Sequence, residues 1–180
     1  MRAEREQEFR EFAAARALWL RRSAYLLCGD WHLAEDLVQN TLLKLYRAWK
    51  RVNMSTVDAY ARKVLFRAWL DESRRPWRRA ERRDGSLPET GDDTADPAEA
   101  GLRSWSRELL LRALSEVPPK QRAVLVLRYW EDLPIAEVAA AIGCSEGTVK
   151  SQASRGLENL RAAITKSDPD LASTAARRSE

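Results

Sequence analysis

Apolar residues recur along most of this chain at steps of three and four, the spacing that places them on one face of an α-helix. Phe9, Phe12, Ala13, Leu20, Ala24 and Leu27 form one such stripe, closed by Gly29-Asp30. Asp30 is a good N-cap for a second helix, whose inner face reads Ala34, Leu37, Val38, Thr41, Leu42, Leu45 and Trp49. The pattern breaks over Arg51 to Ser55 and resumes from Val57 to Leu70 with Tyr60, Ala61, Val64, Leu65 and Ala68. Past Ser104 it returns. A helix is expected from about Ser106 to Glu116, stopped by Pro118-Pro119. The next opens on Pro119 as a first-turn proline and runs through QRAVLVLRYWED. A third begins at Pro134 and ends at Gly143, and a fourth starts after Ser145. Strand-type alternation is absent, so the fold class is all-α.

Composition divides these helices into two groups. Arg74 to Arg83 (RRPWRRAERR) is an arginine run around Trp77, and DGSLPETGDDTADPAEAG follows it, acidic and rich in Gly and Pro. A stretch so poor in large apolar residues cannot offset its ordering entropy, which predicts a flexible linker. The organisation expected is two small helical domains, residues 1–83 and 104–165, joined by a flexible acidic linker at 84–103. Residues 166–180 are polar and are expected to be a disordered tail.

Bulk properties narrow the function. The chain has 180 residues, 44 % of them hydrophobic, enough for real cores. Its 31 Lys plus Arg against 27 acids give a formal charge of +4, a mild excess whose placement matters more than its sum. Cys28 and Cys144 lie far apart without metal-ligand or disulfide-framework spacing, the pattern of a reducing compartment. MRAEREQEFREF lacks the apolar core of a signal peptide, and no run of about 18 apolar residues occurs, so no membrane span is expected. The expected location is the cytoplasm. Catalysis finds little support: the single histidine, His32, stands at a helix start beside Trp31 and reads as a surface or capping residue. Glu35 and Asp36 are adjacent on a helix, so their side chains diverge. There is no Gly-rich phosphate loop, and neither a cofactor nor a metal is expected.

The segment PIAEVAAAIGCSEGTVKSQASRGLENLRAAI has the layout of a helix-turn-helix. Ala139 is small where two crossing helices must approach closely. Gly143 can take the left-handed conformation of the tight turn, and Val149 faces back into the domain with Val138 and Ile142. Ala153, Leu157, Leu160 and Ile164 continue the inner face, and Ser145 is a good N-cap. Glu146, Thr148, Lys150, Ser151, Gln152 and Arg155 are then sent outward, a donor-rich face suited to a major groove. The plain alternative is a helical hairpin with a polar outer face; the agreement of small residue, glycine, cap and basic face argues against it.

The first half carries a second signal. Tyr60, Phe66 and Trp69 are interleaved with Arg62, Lys63 and Arg67. Aromatic rings offer stacking platforms for unpaired bases, and basic side chains neutralise phosphates. The competing reading makes the aromatics core and the cations a solvated face.

Taken together, the two halves resemble the extracytoplasmic-function (ECF) group of RNA polymerase sigma factors, and within it the actinobacterial SigE-like branch. YLLCGDWHLAEDLVQNTLLKLYRAW and AYARKVLFRAW carry the resemblance in the first half. VPPKQRAVLVLRYWEDL and EVAAAIGCSEGTVKSQASRGLENLR carry it in the second, and it covers roughly residues 6–165. The resemblance implies that the N-terminal domain (sigma region 2) docks on core RNA polymerase and recognises and melts the −10 element. It implies that the C-terminal domain (sigma region 4) reads the −35 element in duplex DNA and touches the polymerase flap. By position, Asp36, Leu37, Gln39 and Asn40 fall in the polymerase-binding helix. Tyr60, Arg62, Lys63, Phe66, Arg67 and Trp69 fall where single-stranded −10 DNA is read, and Thr148, Lys150, Ser151, Gln152 and Arg155 on the −35 helix. Asn40, Lys63 and Gln152 depart from the residues common at those places, an acid, Asn and Arg respectively. An anti-sigma factor is a further partner the family suggests. The alternative function is a stand-alone helix-turn-helix regulator of the LuxR type with an N-terminal dimerisation domain, which would not need polymerase and would have no use for DLVQNTLLKLYRAW.

Overall fold

The computed structural model describes residues 2–75 and 97–168. Three helices build the first half: α1 (Arg2–Cys28), α2 (Trp31–Ala48) and α3 (Val57–Ser73), the last preceded by a 3-10 turn at Met54–Thr56. The junctions follow from local chemistry. Gly29 takes φ +68° and its N–H bonds the Tyr25 carbonyl at 2.7 Å, which ends α1. The Asp30 carboxylate then accepts from the Leu33 N–H at 2.9 Å and caps α2. In the break before α3, the Asn53 side chain accepts from the Ser55 N–H at 3.0 Å and caps the 3-10 turn.

The second half holds α4 (Pro97–Glu116), α5 (Pro119–Leu125), α6 (Ile135–Ile142) and α7 (Glu146–Ser167). Helix α5 continues into a π-helical turn at Val126–Trp130. Helix α4 starts at Pro97 rather than near Ser106, so residues 97–103, expected to be linker, are helical. The reason is local: Pro-Ala-Glu-Ala sets a helical φ at the first position, adds good helix formers and puts an acid in the first turn. Helix α7 reaches Ser167, past the expected boundary at 165. Residues 76–83 of the arginine run with Trp77, the linker residues 84–96 and the tail residues 169–180 lie outside the described residues. Among the described residues there is no strand.

Helix α1 packs on α2 and α3, and in the second half α4, α5 and α6 all pack on α7. The inner stripes are where periodicity puts them: Leu20, Leu27, Ala34, Leu45, Ala61 and Leu65 are fully buried. Trp49 is buried against Phe9 and Phe12, with ring centroids 5.1 and 5.3 Å away. Gly156 permits the close approach of α7 to α5, since a Cβ there would stand 3.1 Å from Leu125 Cγ and 3.3 Å from Gln121 Cβ.

The two halves are in contact. Helix α3 packs on α6, and α1 touches α4 and α5. One apolar cluster runs from Leu27, Phe66 and Trp69 into Val124, Leu127, Val138 and Ala139. Within it sits Arg122 of α5, only 2 % exposed. It donates to the carbonyls of Leu27 at 2.6 Å, Ser115 at 2.7 Å and Val117 at 3.0 Å. A guanidinium is suited to this place, because the carbonyls at helix C-termini lack intrahelical donors and carry the negative end of the dipole. Its planar face also lies over the Trp69 ring at 5.6 Å.

Candidate nucleic-acid interface

The helix-turn-helix is built by α6, the turn Gly143–Ser145 and α7. Gly143 adopts φ +78° and ψ 48°, and both its N–H and that of Cys144 return to the Ala139 carbonyl, at 2.8 and 3.1 Å. Only a residue without a Cβ takes this conformation at little cost. Ala139 and Val149 are buried beneath the turn, with Val138 beside them. The Ser145 hydroxyl accepts from the Thr148 N–H at 3.1 Å and starts α7.

The outward face of α7 is open. Thr148, Lys150, Ser151 and Arg155 are exposed, and Gln152 is half-buried. Ser151 spends its hydroxyl proton on the Thr148 carbonyl at 3.0 Å, and the Thr148 hydroxyl is engaged with Ser145 at 2.9 Å. Among the described residues Lys150 and Arg155 have no ion-pair partner. Two cations near the start of a rigid, capped helix can dock on phosphates or base edges without first breaking an internal bond.

The face of α3 differs. Phe66 is fully buried and Trp69 is 3 % exposed. As placed, neither ring offers a face to a base. Their spacing of three puts both on the inner side of α3. Trp69 is covered in part by Arg122 of the second half. Tyr60 and Lys63 are half-buried and Arg67 is exposed. Arg67 nonetheless reaches the second half, where its Nη2 lies 3.1 Å from where a Cβ on Gly143 would be. Arg62 is 16 % exposed and donates from Nε to the Glu131 carboxylate at 2.6 Å, with its guanidinium 5.3 Å over the Trp19 ring.

On α2, Asp36, Gln39 and Asn40 are exposed, whereas Leu37 is 4 % exposed and belongs to the core. Leu37 therefore has no surface to give a partner, because it lies on the stripe that faces α1 and α3. Beside the polar three runs an apolar groove of about 440 Å³ lined by Phe9, Leu42, Leu43 and Tyr46, with Glu6, Arg10 and Gln39 at its edge. Leu43 and Tyr46 are each 47 % exposed. Sequence reasoning missed them, although both stand off the buried stripe of an otherwise amphipathic helix, and that is the signal to seek. It also missed Ser23, Arg122 and Glu131, which join the two halves.

His32 is exposed. Among the described residues no group of His, Cys, Asp and Glu is arranged to hold a metal, and no helix is long and apolar enough to cross a membrane.

Comparison with known proteins identifies both halves. Residues 12–79 match the sigma-70 region 2 family and residues 107–160 the sigma-70 region 4 family. The chain is 38 % identical to the RNA polymerase sigma-E factor of Streptomyces coelicolor, over 91 % of this chain and 89 % of that protein. It is 34 % identical to the ECF RNA polymerase sigma factor SigE of Mycolicibacterium smegmatis, over 86 % of this chain and 60 % of that one. In structure it is similar to the sigma factor RpoE of Bartonella quintana, solved in complex with the anti-sigma factor NepR. That match has a TM-score of 0.67 and 25 % identity, and covers 90 % of this chain and 99 % of the other. The chain thus belongs to the ECF RNA polymerase sigma factors, which direct promoter-specific transcription initiation, with region 2 in its first half and region 4 in its second.

Proposed function

We propose that this chain docks on core RNA polymerase through the exposed face of α2, reads the −35 element with α7 and the unpaired −10 element with α3. The observation that carries the reading is the helix-turn-helix of α6 and α7, whose cations Lys150 and Arg155 are exposed and have no ion-pair partner among the described residues. Thr148, Ser151 and Gln152 complete the −35 set. A bidentate contact from one of these to a base edge discriminates by about 1–3 kcal/mol.

For the polymerase, Asp36, Gln39 and Asn40 form a polar edge and the groove with Leu43 and Tyr46 the apolar part of one surface. That pairing of an apolar centre with a polar rim is what a specific protein interface needs. For the −10 element the set is Tyr60, Arg62, Lys63 and Arg67. A stacked base is worth roughly 1–3 kcal/mol, which offsets part of the unpairing cost. Bond making is left to the polymerase, so the chain itself is read as non-enzymatic, and its place is the cytoplasm with polymerase and DNA. An anti-sigma factor is a further partner of this reading, since the similar Bartonella quintana protein was solved with one.

The test is to mix the purified chain with bacterial core RNA polymerase and resolve the mixture by gel filtration, then add DNA upstream of its own gene. Co-elution and promoter-dependent transcripts are expected, and Asp36→Ala reduces co-elution while circular dichroism stays unchanged. Duplex binding without any association with polymerase would overturn the reading in favour of a stand-alone regulator.

A further inference from the structure

The segment that ends α5 aims a carboxylate at the other half of the molecule. After the π turn, the Glu131 N–H bonds the Val126 carbonyl at 3.0 Å, and the Leu133 N–H returns to Leu127 at 3.0 Å. Asp132 between them has φ +51°, a left-handed conformation that aspartate adopts more readily than most residues. This reversal leaves Tyr129 and Trp130 outside, 58 % and 53 % exposed, and turns Glu131 inward. π turns of this kind often mark functional places in a helix.

Only 3 % of the Glu131 side chain remains exposed, and both of its oxygens are used. One accepts from the Ser23 hydroxyl of α1 at 2.7 Å, the other from Arg62 Nε of α3 at 2.6 Å. A buried carboxylate is unfavourable unless paired and hydrogen-bonded, so this position is stable only while the two halves are together. Arg62 is also one of the cations assigned to the −10 strand. To a guanidinium, a carboxylate and a phosphate present the same kind of acceptor pair.

We propose that Glu131 is an intrachain latch: it occupies Arg62 as a DNA phosphate would and holds region 4 over the −10 face of α3. Reading of the −10 strand then requires the latch to open, and apparent affinity for single-stranded DNA is lowered by the fraction of molecules that are closed. This inference rests on α3 being the −10 surface.

Glu131→Gln in the full chain tests it by small-angle scattering together with fluorescence anisotropy on a labelled mixed-sequence single strand of roughly 12 nucleotides, a length one small domain can span. A larger radius of gyration and a gain in affinity on the order of tenfold are expected, and adding Arg62→Ala removes the gain. Ser23→Ala deletes one of the two hydrogen bonds and gives a smaller shift in the same direction. It stands in for Glu131→Gln should that variant lose its helical circular dichroism. A chain that stays compact and binds as before overturns the latch. A chain that opens without binding single strands more tightly overturns the assignment of α3 to the −10 strand instead, and the latch's role in blocking DNA with it.

Discussion

The two surfaces assigned to DNA are held in opposite states. On α7 Lys150 and Arg155 are exposed, have no ion-pair partner among the described residues, and stand on a helix whose cap and turn are complete. On α3 the matching residues are engaged: Phe66 and Trp69 are core, Arg62 is paired with Glu131, and Arg67 lies against the turn at Gly143. The difference follows from the jobs proposed. Duplex DNA can be approached by a finished surface, because its phosphates and groove edges are already presented. Unpaired bases exist only after melting, and a region that stacks them must expose rings that would otherwise be buried. Exposed aromatic surface is an interaction hazard in a free protein, so covering it with the partner domain is physically sensible. The contact is polar as well as apolar: among the described residues Ser23 and Arg62 donate to Glu131 across it, and Arg122 donates to the Leu27 carbonyl.

The contrast can be broken most severely at Arg122. Arg122→Met keeps most of the apolar stem but leaves the carbonyls of Leu27, Ser115 and Val117 without this donor. Each buried unsatisfied group costs about 1–3 kcal/mol, so a loss of roughly 3 kcal/mol in urea unfolding is expected after partial relaxation. A loss below about 1 kcal/mol would mean that water or other donors replace the guanidinium freely. Gly143→Val comes next. Two effects compete there: the added Cβ would stand 3.1 Å from Arg67 Nη2, and the backbone would hold a β-branched residue at φ +78°. The first is relieved by moving the end of a flexible side chain, so the second decides the outcome. A loss of about 1–2 kcal/mol is expected, with weaker duplex binding because the turn sets the angle of α7. If Arg67→Ala restores the stability of Gly143→Val, the steric term was the larger one.

How far the sequence revealed this depends on the range of each interaction. The helices were legible because burial repeats with the helical period, and the turn because Ala139, Gly143, Ser145 and Val149 act within a few residues of each other. The start of α4 was not, since the Gly and Pro content around it outweighed the local Pro-Ala-Glu-Ala start. Phe66 and Trp69 were ambiguous for a sharper reason. Aromatics spaced three apart are what a core helix and a stacking platform both require, and only the packing of α6 and Arg122 against α3 separates the two. Leu37 shows the limit of a resemblance, which locates a helix but does not say which of its faces is inside. Glu131 was beyond reach: its partners lie 69 and 108 residues away, and no local pattern encodes a contact at such separations.

The smallest expected effect sharpens the comparison from the open side. Lys150 is exposed and has no ion-pair partner among the described residues, so its charge is available to DNA in the free chain. Lys150→Ala should lower affinity for duplex DNA and reduce the slope of log K against log salt by about one unit, the signature of a single lost phosphate contact. Stability should be unchanged, because an exposed lysine on a helix contributes little to folding. The measurement needs only the purified chain and a duplex at several salt concentrations. An unchanged slope would take Lys150 off the phosphates and leave Arg155 as the basic contact of α7. A reduced slope in the absence of polymerase would mean that the −35 face works without any rearrangement, in contrast to the −10 face, which the proposed latch covers.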